Sequence, residues 1–163
     1  MAFPYHPLKH GEIRLLRLLD DSGMRCDIER YELLSAPRYI ALSYTWGRSS
    51  YQKGRSSDEI YDIIMNHQVL QVQQNMHDAL RHLGKEVRKR NCRLWLDFLC
   101  INQLDTEERS SQVRLMKDIY ERSAAVFAWL GQPFDDRETE LAVALMRDFK
   151  DSCMMASKPT TTS

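Results

Sequence analysis

Three short, nearly continuous apolar runs, Tyr39–Tyr44, Arg93–Asp97 and Ala124–Leu130, decide most of what this chain can fold into. Runs of this length with little polar alternation suit strands covered on both faces. Between and after them stand longer segments with helical spacing. Asn75 reads as an N-cap, and Met76, Ala79, Leu80, Leu83 and Val87 follow on one face. Asp105 and Glu108 form a start signal resembling a capping box, ahead of an apolar stripe of Val113, Met116, Ile119 and Tyr120. A third helix is expected from near Asp135, burying Leu141, Ala142, Leu145, Met146 and Phe149. Strand and helix alternating in this way predict right-handed crossovers and a mainly parallel sheet with flanking helices. The expected class is α/β.

Two antiparallel pieces are expected beside that framework. Ile13–Leu19 and Cys26–Leu33 flank Asp20-Asp-Ser-Gly23, which reads as an N-terminal strand pair. Ile60–Met65 and Val69–Val72 flank Asn66-His67, which reads as an inserted β-hairpin with a tight turn. The organisation read from the sequence is a leader over 1–12 and one domain over 13–150. The last segment, 151–163, reads as a polar, aperiodic tail or the truncation point of a longer chain.

Composition narrows the function. The 163 residues carry 23 basic and 23 acidic side chains, so the net charge is zero, and 43% are hydrophobic. That balance argues against a nucleic-acid partner, whose binders show a basic excess, and against a polybasic membrane-surface protein. No apolar run approaches the ~18 residues that span a bilayer. The N-terminal segment is unlike a secretory signal, so a cytoplasmic location is expected. Only six glycines occur, and neither a dinucleotide fingerprint nor a P-loop is present. Cys26, Cys92, Cys100 and Cys153 show no C-x-x-C spacing and read as reduced thiols. His77 and His82 are five apart, a spacing that does not suit a shared metal, and no metal or resident cofactor is expected.

Ligands of parallel sheets bind beyond the carboxyl ends of the strands. Here those ends carry Ser43-Tyr44-Thr45-Trp46-Gly47, then Asp97 with Cys100-Ile-Asn102-Gln103, then Trp129-Leu-Gly131 followed by Asp135, Asp136, Glu138 and Glu140. Two aromatics, a hydroxyl, an amide pair and a carboxylate suit a small-molecule site. Each residue also has a structural alternative. Trp95 and Trp129 lie in apolar strands and read as core, whereas Trp46 opens a loop and reads equally as core or site. Asp97 binds ligand or caps the turn after it. Glu108 reads as a helix cap, and Glu138 and Glu140 sit in an acidic first turn that the helix dipole favours anyway. Cys100 has no basic neighbour in sequence and reads as an inert buried thiol.

The same blocks carry a family resemblance. Ala41-Leu-Ser-Tyr-Thr-Trp-Gly47, Leu94-Trp-Leu-Asp-Phe-Leu-Cys-Ile-Asn-Gln103, Glu108-Arg109, Gln112-Val113, Met116, Ile119-Tyr120 and Val126 through Gly131 resemble, in order, the signature of the fungal heterokaryon-incompatibility (HET) domain. That resemblance implies a role in non-self recognition between fungal cells that leads to programmed cell death. The family in turn resembles TIR domains, flavodoxin-like modules that signal by assembly and in some cases cleave NAD at the nicotinamide–ribose bond. The resemblance implies a catalytic carboxylate at Glu138 or Glu140 and NAD as substrate. Ser43, Tyr44, Trp46, Arg48, Asp97 and Asn102 would then bind the nucleotide. It also implies self-association and a non-self-sensing partner protein or C-terminal region. Three functions stay open: an NAD-consuming effector, a self-assembling adaptor without chemistry, and a flavodoxin-like small-molecule sensor without chemistry.

Overall fold

The computed structural model describes residues 3–44 and 59–131. All of these belong to one compact unit, Met1–Gly131. Seven strands form a single sheet: β1 (Glu12–Leu18), β2 (Arg25–Glu32), β3 (Tyr39–Tyr44), β4 (Ile60–Met65), β5 (Gln68–Gln73), β6 (Arg93–Trp95) and β7 (Ala125–Trp129). Among the described residues three α-helices accompany them, α1 (Gln74–Lys89), the single turn α2 (Asp97–Cys100) and α3 (Thr106–Arg122), with a 3-10 turn over Leu33–Ser35. No helix among the described residues is long and apolar enough to cross a membrane.

The strand order is β5-β4-β2-β1-β6-β3-β7. The class is α/β as expected, but the sheet is mixed rather than mainly parallel. β3 pairs in parallel with β6 and β7, and β2 with β4, while β1–β2, β1–β6 and β4–β5 are antiparallel. The reason lies in β1, which does not stand outside the parallel strands. It is inserted beside β6, with Leu16 opposite Leu94, and turns the sheet's direction there. A buried run has the same composition whichever way its neighbour points, so sequence alone could not reveal this.

The core follows the apolar runs. Leu15, Leu16, Ile40, Leu42, Ile63, Met65, Leu80, Leu94 and Leu96 are fully buried, and burying each such side chain is worth roughly 1.5–3 kcal/mol. The 66–67 turn has both residues in the left-handed region, Asn66 at φ 48° and His67 at φ 64°. That is the geometry of a two-residue turn matched to strand twist, and Asn tolerates it best among non-glycine residues. The Asn66 side-chain oxygen also accepts from the Ile28 N–H at 2.9 Å, which fastens the hairpin to β2.

Helix α1 departs from expectation at its start. The chain passes directly from β5 into the helix through an extended Gln73, with no side-chain cap bond, and Asn75 lies inside the first turn. Asn75 is buried and its oxygen accepts the Trp129 indole N–H at 2.8 Å. The half-buried indole thereby gains an acceptor from inside the helix, and Asn75 serves that long-range bond rather than the helix end.

Farther along α1, Gly84 meets the 20–23 turn. An added Cβ would lie 2.6 Å from the Asp21 carbonyl and 2.7 Å from the Gly23 nitrogen. Gly23, at φ +73°, meets α1 in return, its Cβ position 2.4 Å from the Leu80 carbonyl. Backbone packs on backbone. In a free helix Gly84→Ala would stabilise by about 1 kcal/mol. Here the clash decides the sign, and we expect a net loss of about 1–3 kcal/mol. A thermal melt followed by circular dichroism should show Tm lowered by roughly 3–10 °C. An unchanged or higher Tm would contradict the close approach.

Candidate functional site

The parallel trio β6–β3–β7 sets out the carboxyl-end residues in register. Ser43 lies opposite Ala128, Tyr44 opposite Trp129, and Ala41 opposite Trp95. Adjacent strand residues point to opposite faces, so Ser43 and Tyr44 serve different sides. Ser43 shares its face with Tyr39 and Ala41. There the Tyr39 hydroxyl donates to the Ile119 carbonyl of α3 at 2.6 Å, Trp95 meets Tyr120 edge-on at 5.4 Å, and Ser43 is hydrogen-bonded to the Tyr120 hydroxyl. Tyr44 shares its face with Trp129, which reaches Asn75 and lies 5.0 Å from the His82 ring, both on α1.

Asp97 lies between these faces. The strand before it is short, ending at Trp95, and Asp97 opens α2. Its carboxylate accepts the Phe98 N–H at 2.8 Å, and its carbonyl accepts from Ile101 N at 3.0 Å and Gln103 Nε2 at 2.9 Å. Burial raises the pKa of both Tyr44 and Tyr120, and the Asp97 charge raises each further. One carboxylate therefore bears on a phenol from each side of the sheet, and both phenols stay protonated as hydrogen-bond donors at neutral pH.

Asn102 sits in the turn before α3 and is held from outside the strand ends. Its N–H donates to Glu108 Oε1 at 2.7 Å, and its side-chain oxygen accepts from Leu104 N at 3.2 Å. Glu108 is in turn bound by Arg14 of β1 through both guanidinium nitrogens, at 2.5 and 2.8 Å. Arg14 is 2% exposed and also donates to the Cys100 carbonyl at 3.1 Å and the His6 carbonyl at 2.6 Å, with its guanidinium 4.7 Å from the Tyr5 ring centre. The cap of α3 is Asp105, which accepts from the Glu107 and Glu108 N–H groups at 3.0 Å each. Glu108 itself turns inward to Arg14, so its side chain is an ion-pair partner rather than half of a capping box.

The structure thus brings Ser43, Tyr44 and Asp97 together at the strand ends and adds Tyr120, which sequence reasoning treated as helix core. Asn102 occupies the adjoining turn with its oxygen engaged. Trp46, Arg48, Glu138 and Glu140, together with the expected third helix, lie outside the described residues. Cys100 is fully buried, and burial pushes its thiol up to about 12, so it is not a thiolate nucleophile at neutral pH. Among the described residues no group of three or more His, Cys, Asp or Glu is placed to hold a metal. Arg14 was the residue hardest to find. It stands in Ile-Arg-Leu-Leu-Arg-Leu-Leu beside Arg17, which pairs at the surface with Asp27. Nothing in that repeat marks which arginine is buried.

Two outcomes follow from this network. Glu108→Gln leaves a buried guanidinium without its counter-charge and should cost about 3–5 kcal/mol, whereas Arg14→Met with Glu108→Leu should recover most of that. Urea midpoints measure both, and an unshifted Glu108→Gln midpoint would contradict the ion pair's role. The second outcome concerns pH. Burial pushes the Cys26 and Cys100 thiols up to about 12 from 9.0. Unfolded thiols ionise first, so the stability held below pH 9 should fall progressively between pH 9 and pH 12. Cys26→Ala/Cys100→Ala should make that decline shallower; an equal slope in both proteins would contradict it.

The family model described as Heterokaryon incompatibility protein (HET) matches residues 39–162. The chain is 37% identical over 139 residues to heterokaryon incompatibility protein 6, OR allele, of Neurospora crassa, covering 76% of this chain and 19% of that protein. It therefore spans about a fifth of the length of that curated relative. No solved structure matches. The family match runs from β3 through Asp97, the Asn102 turn and α3 to β7 and beyond, and the chain belongs to the heterokaryon incompatibility (HET) family.

Proposed function

We propose that this chain is the effector domain of a heterokaryon (vegetative) incompatibility protein, which triggers programmed cell death when non-self is recognised. The observation that carries this reading is the family match across residues 39–162, which takes in the whole strand-end cluster. The incompatibility role is carried over from a relative of which this chain covers 19%. The non-self sensor would be a separate protein or another region of a longer polypeptide, and the domain would act in the cytoplasm.

For the chemistry, the reading is TIR-like hydrolysis of NAD at the nicotinamide–ribose bond. The leaving nicotinamide departs as a neutral base from a cationic ring, so no general acid is required. A carboxylate near the ribose, Glu138 or Glu140, would stabilise the oxocarbenium-like transition state or attack it. Tyr44 and Trp46 would stack on a ring of the dinucleotide, Ser43 and the Asn102 side-chain Nδ2 would bond ribose hydroxyls, and Arg48 would offset pyrophosphate charge. Asp97 would contribute its carboxylate to the binding of the nucleotide. Support for a ligand of this kind is the arrangement of protonated hydroxyls around one carboxylate, which suits a hydroxyl-rich molecule.

A second reading, a self-assembling adaptor without chemistry, draws on a specific observation. Glu108 is bound to Arg14, the Asn102 oxygen to Leu104, and the Cys100 thiol is protonated, so these groups already have structural work. NAD loss in an oligomeric sample separates the readings. The wild-type chain should consume NAD, and Glu138→Ala/Glu140→Ala should lower the rate by about 100-fold or more, as removing a transition-state stabiliser does. Equal rates in both proteins would sink the enzymatic reading. Cell death that persists with NAD intact would favour the adaptor.

A further inference from the structure

The sheet ends on one side at β5, whose sequence Gln-Val-Leu-Gln-Val-Gln has no charge, proline or glycine. Among the described residues β5 pairs with β4 alone. Edge strands are ordinarily blunted by a lysine, a proline or a bulge, because their outer N–H and C=O groups template further pairing. Here the ladder runs without a bulge from Ile60 opposite Gln73 to Met65 opposite Gln68. The edge itself is charge-free in a chain whose residues are 28% charged. Val72 is buried, and the opposite face of this hairpin carries Val69 at 66%, Ile60 at 61% and Ile64 at 39% exposure. These three apolar side chains lie beside the open edge.

We propose that β5 pairs antiparallel with β5 of a second copy, about a two-fold axis at Gln71, joining two sheets into one. A two-fold axis normal to the sheet keeps faces matched, so residues of equal parity meet. Gln71 then faces Gln71 of the second copy, and Val69 faces its Gln73. The exposed face gains two related rows in which Ile64, Val69, the stem of Gln73 and Ile60 lie side by side across four strands. Cross-strand pairs of this kind stabilise a sheet, and Gln71 facing itself can exchange side-chain amide hydrogen bonds. Among the described residues of this hairpin, the nearest like charges are the two copies of Asp62, the residue opposite Gln71 on β4. They stand three strand spacings apart, about 14 Å, beyond the ~8 Å Debye length of physiological salt. Among the described residues, a second copy therefore meets no close like charge at this edge.

The pairing stands apart from the functional reading. In the strand order β3 is five positions from β5, about 24 Å away, so each copy keeps its strand-end cluster clear of the joint. The test is a concentration series of the whole chain by sedimentation velocity, with Gln71→Lys, Gln71→Glu and their equimolar mixture. Wild type should move toward twice the monomer mass. Each single variant should dissociate about tenfold or more readily, and the mixture should recover association. Gln71 is exposed, so both variants should keep the wild-type melting curve. Hydrogen exchange gives an independent measure: amides within 68–73 should slow as wild-type concentration rises. A wild type that stays monomeric, a Gln71→Lys protein that associates like wild type, a mixture that recovers nothing, or unchanged exchange over 68–73 would each overturn the proposal. None of these outcomes alters NAD turnover by a single copy, so the two ideas fail separately.

Discussion

A guanidinium buried to 2% exposure against a carboxylate at 8% loses several kcal/mol of hydration per ion, and only close geometry with further hydrogen bonds offsets that loss. Arg14 and Glu108 meet that condition. The pair is bidentate, the remaining guanidinium donors reach the Cys100 and His6 carbonyls, and the second function of Glu108 is to accept the Asn102 N–H. Through these bonds one side chain of β1 connects the N-terminal segment, the α2 turn and the first turn of α3. The loop that carries Asn102 and Gln103 takes its position from that connection, and Gln103 then holds the Asp97 carbonyl. The strand-end site is thus anchored from a strand that contributes no residue to it.

The site itself uses a simple property of a pleated strand. Ser43 and Tyr44 are neighbours in sequence and belong to opposite layers, one bonded toward α3 and the other registered with Trp129 above α1. Asp97, placed just beyond the end of the adjacent strand, faces the rim where the layers meet. Its charge keeps the Tyr44 and Tyr120 phenols protonated well above neutrality, after burial has already done most of that. A carboxylate near two phenols that stay protonated at neutral pH presents fixed dipoles, and a ligand bound there would be oriented by them rather than titrated.

Much of this is legible in the sequence. The three apolar runs are β3, β6 and β7, the Asn66-His67 turn has the left-handed backbone that an Asn in a two-residue connection suggests, and Asp105 caps α3. Ser43, Tyr44 and Asp97 could be placed together because parallel strands put their carboxyl ends on one edge. The misreadings share a cause. Asn75 reads as a cap and Glu108 as half of a capping box because sequence shows only local partners, while their true partners are Trp129, 54 residues away, and Arg14, 94 residues away. The direction of β1 was hidden for the same reason, since a buried strand reads alike between parallel and antiparallel neighbours.

These long-range partners bear on where the folding unit begins. The family match starts at residue 39, yet β1 and β2 lie in the interior of the sheet, between β4 and β6. Removing residues before 39 would open the edge of β6 where Leu16 meets Leu94 and uncover the fully buried Leu94 and Leu96. It would also leave Glu108 buried without Arg14. An uncompensated internal carboxylate and an exposed apolar edge each cost several kcal/mol, which together approach the 5–15 kcal/mol that stabilises an ordinary domain. The segment carrying the family's motifs therefore depends physically on the strands that precede it, and the N-terminal segment is tied into the same network, since the Tyr5 hydroxyl donates to the Leu99 carbonyl and the His6 carbonyl accepts from Arg14.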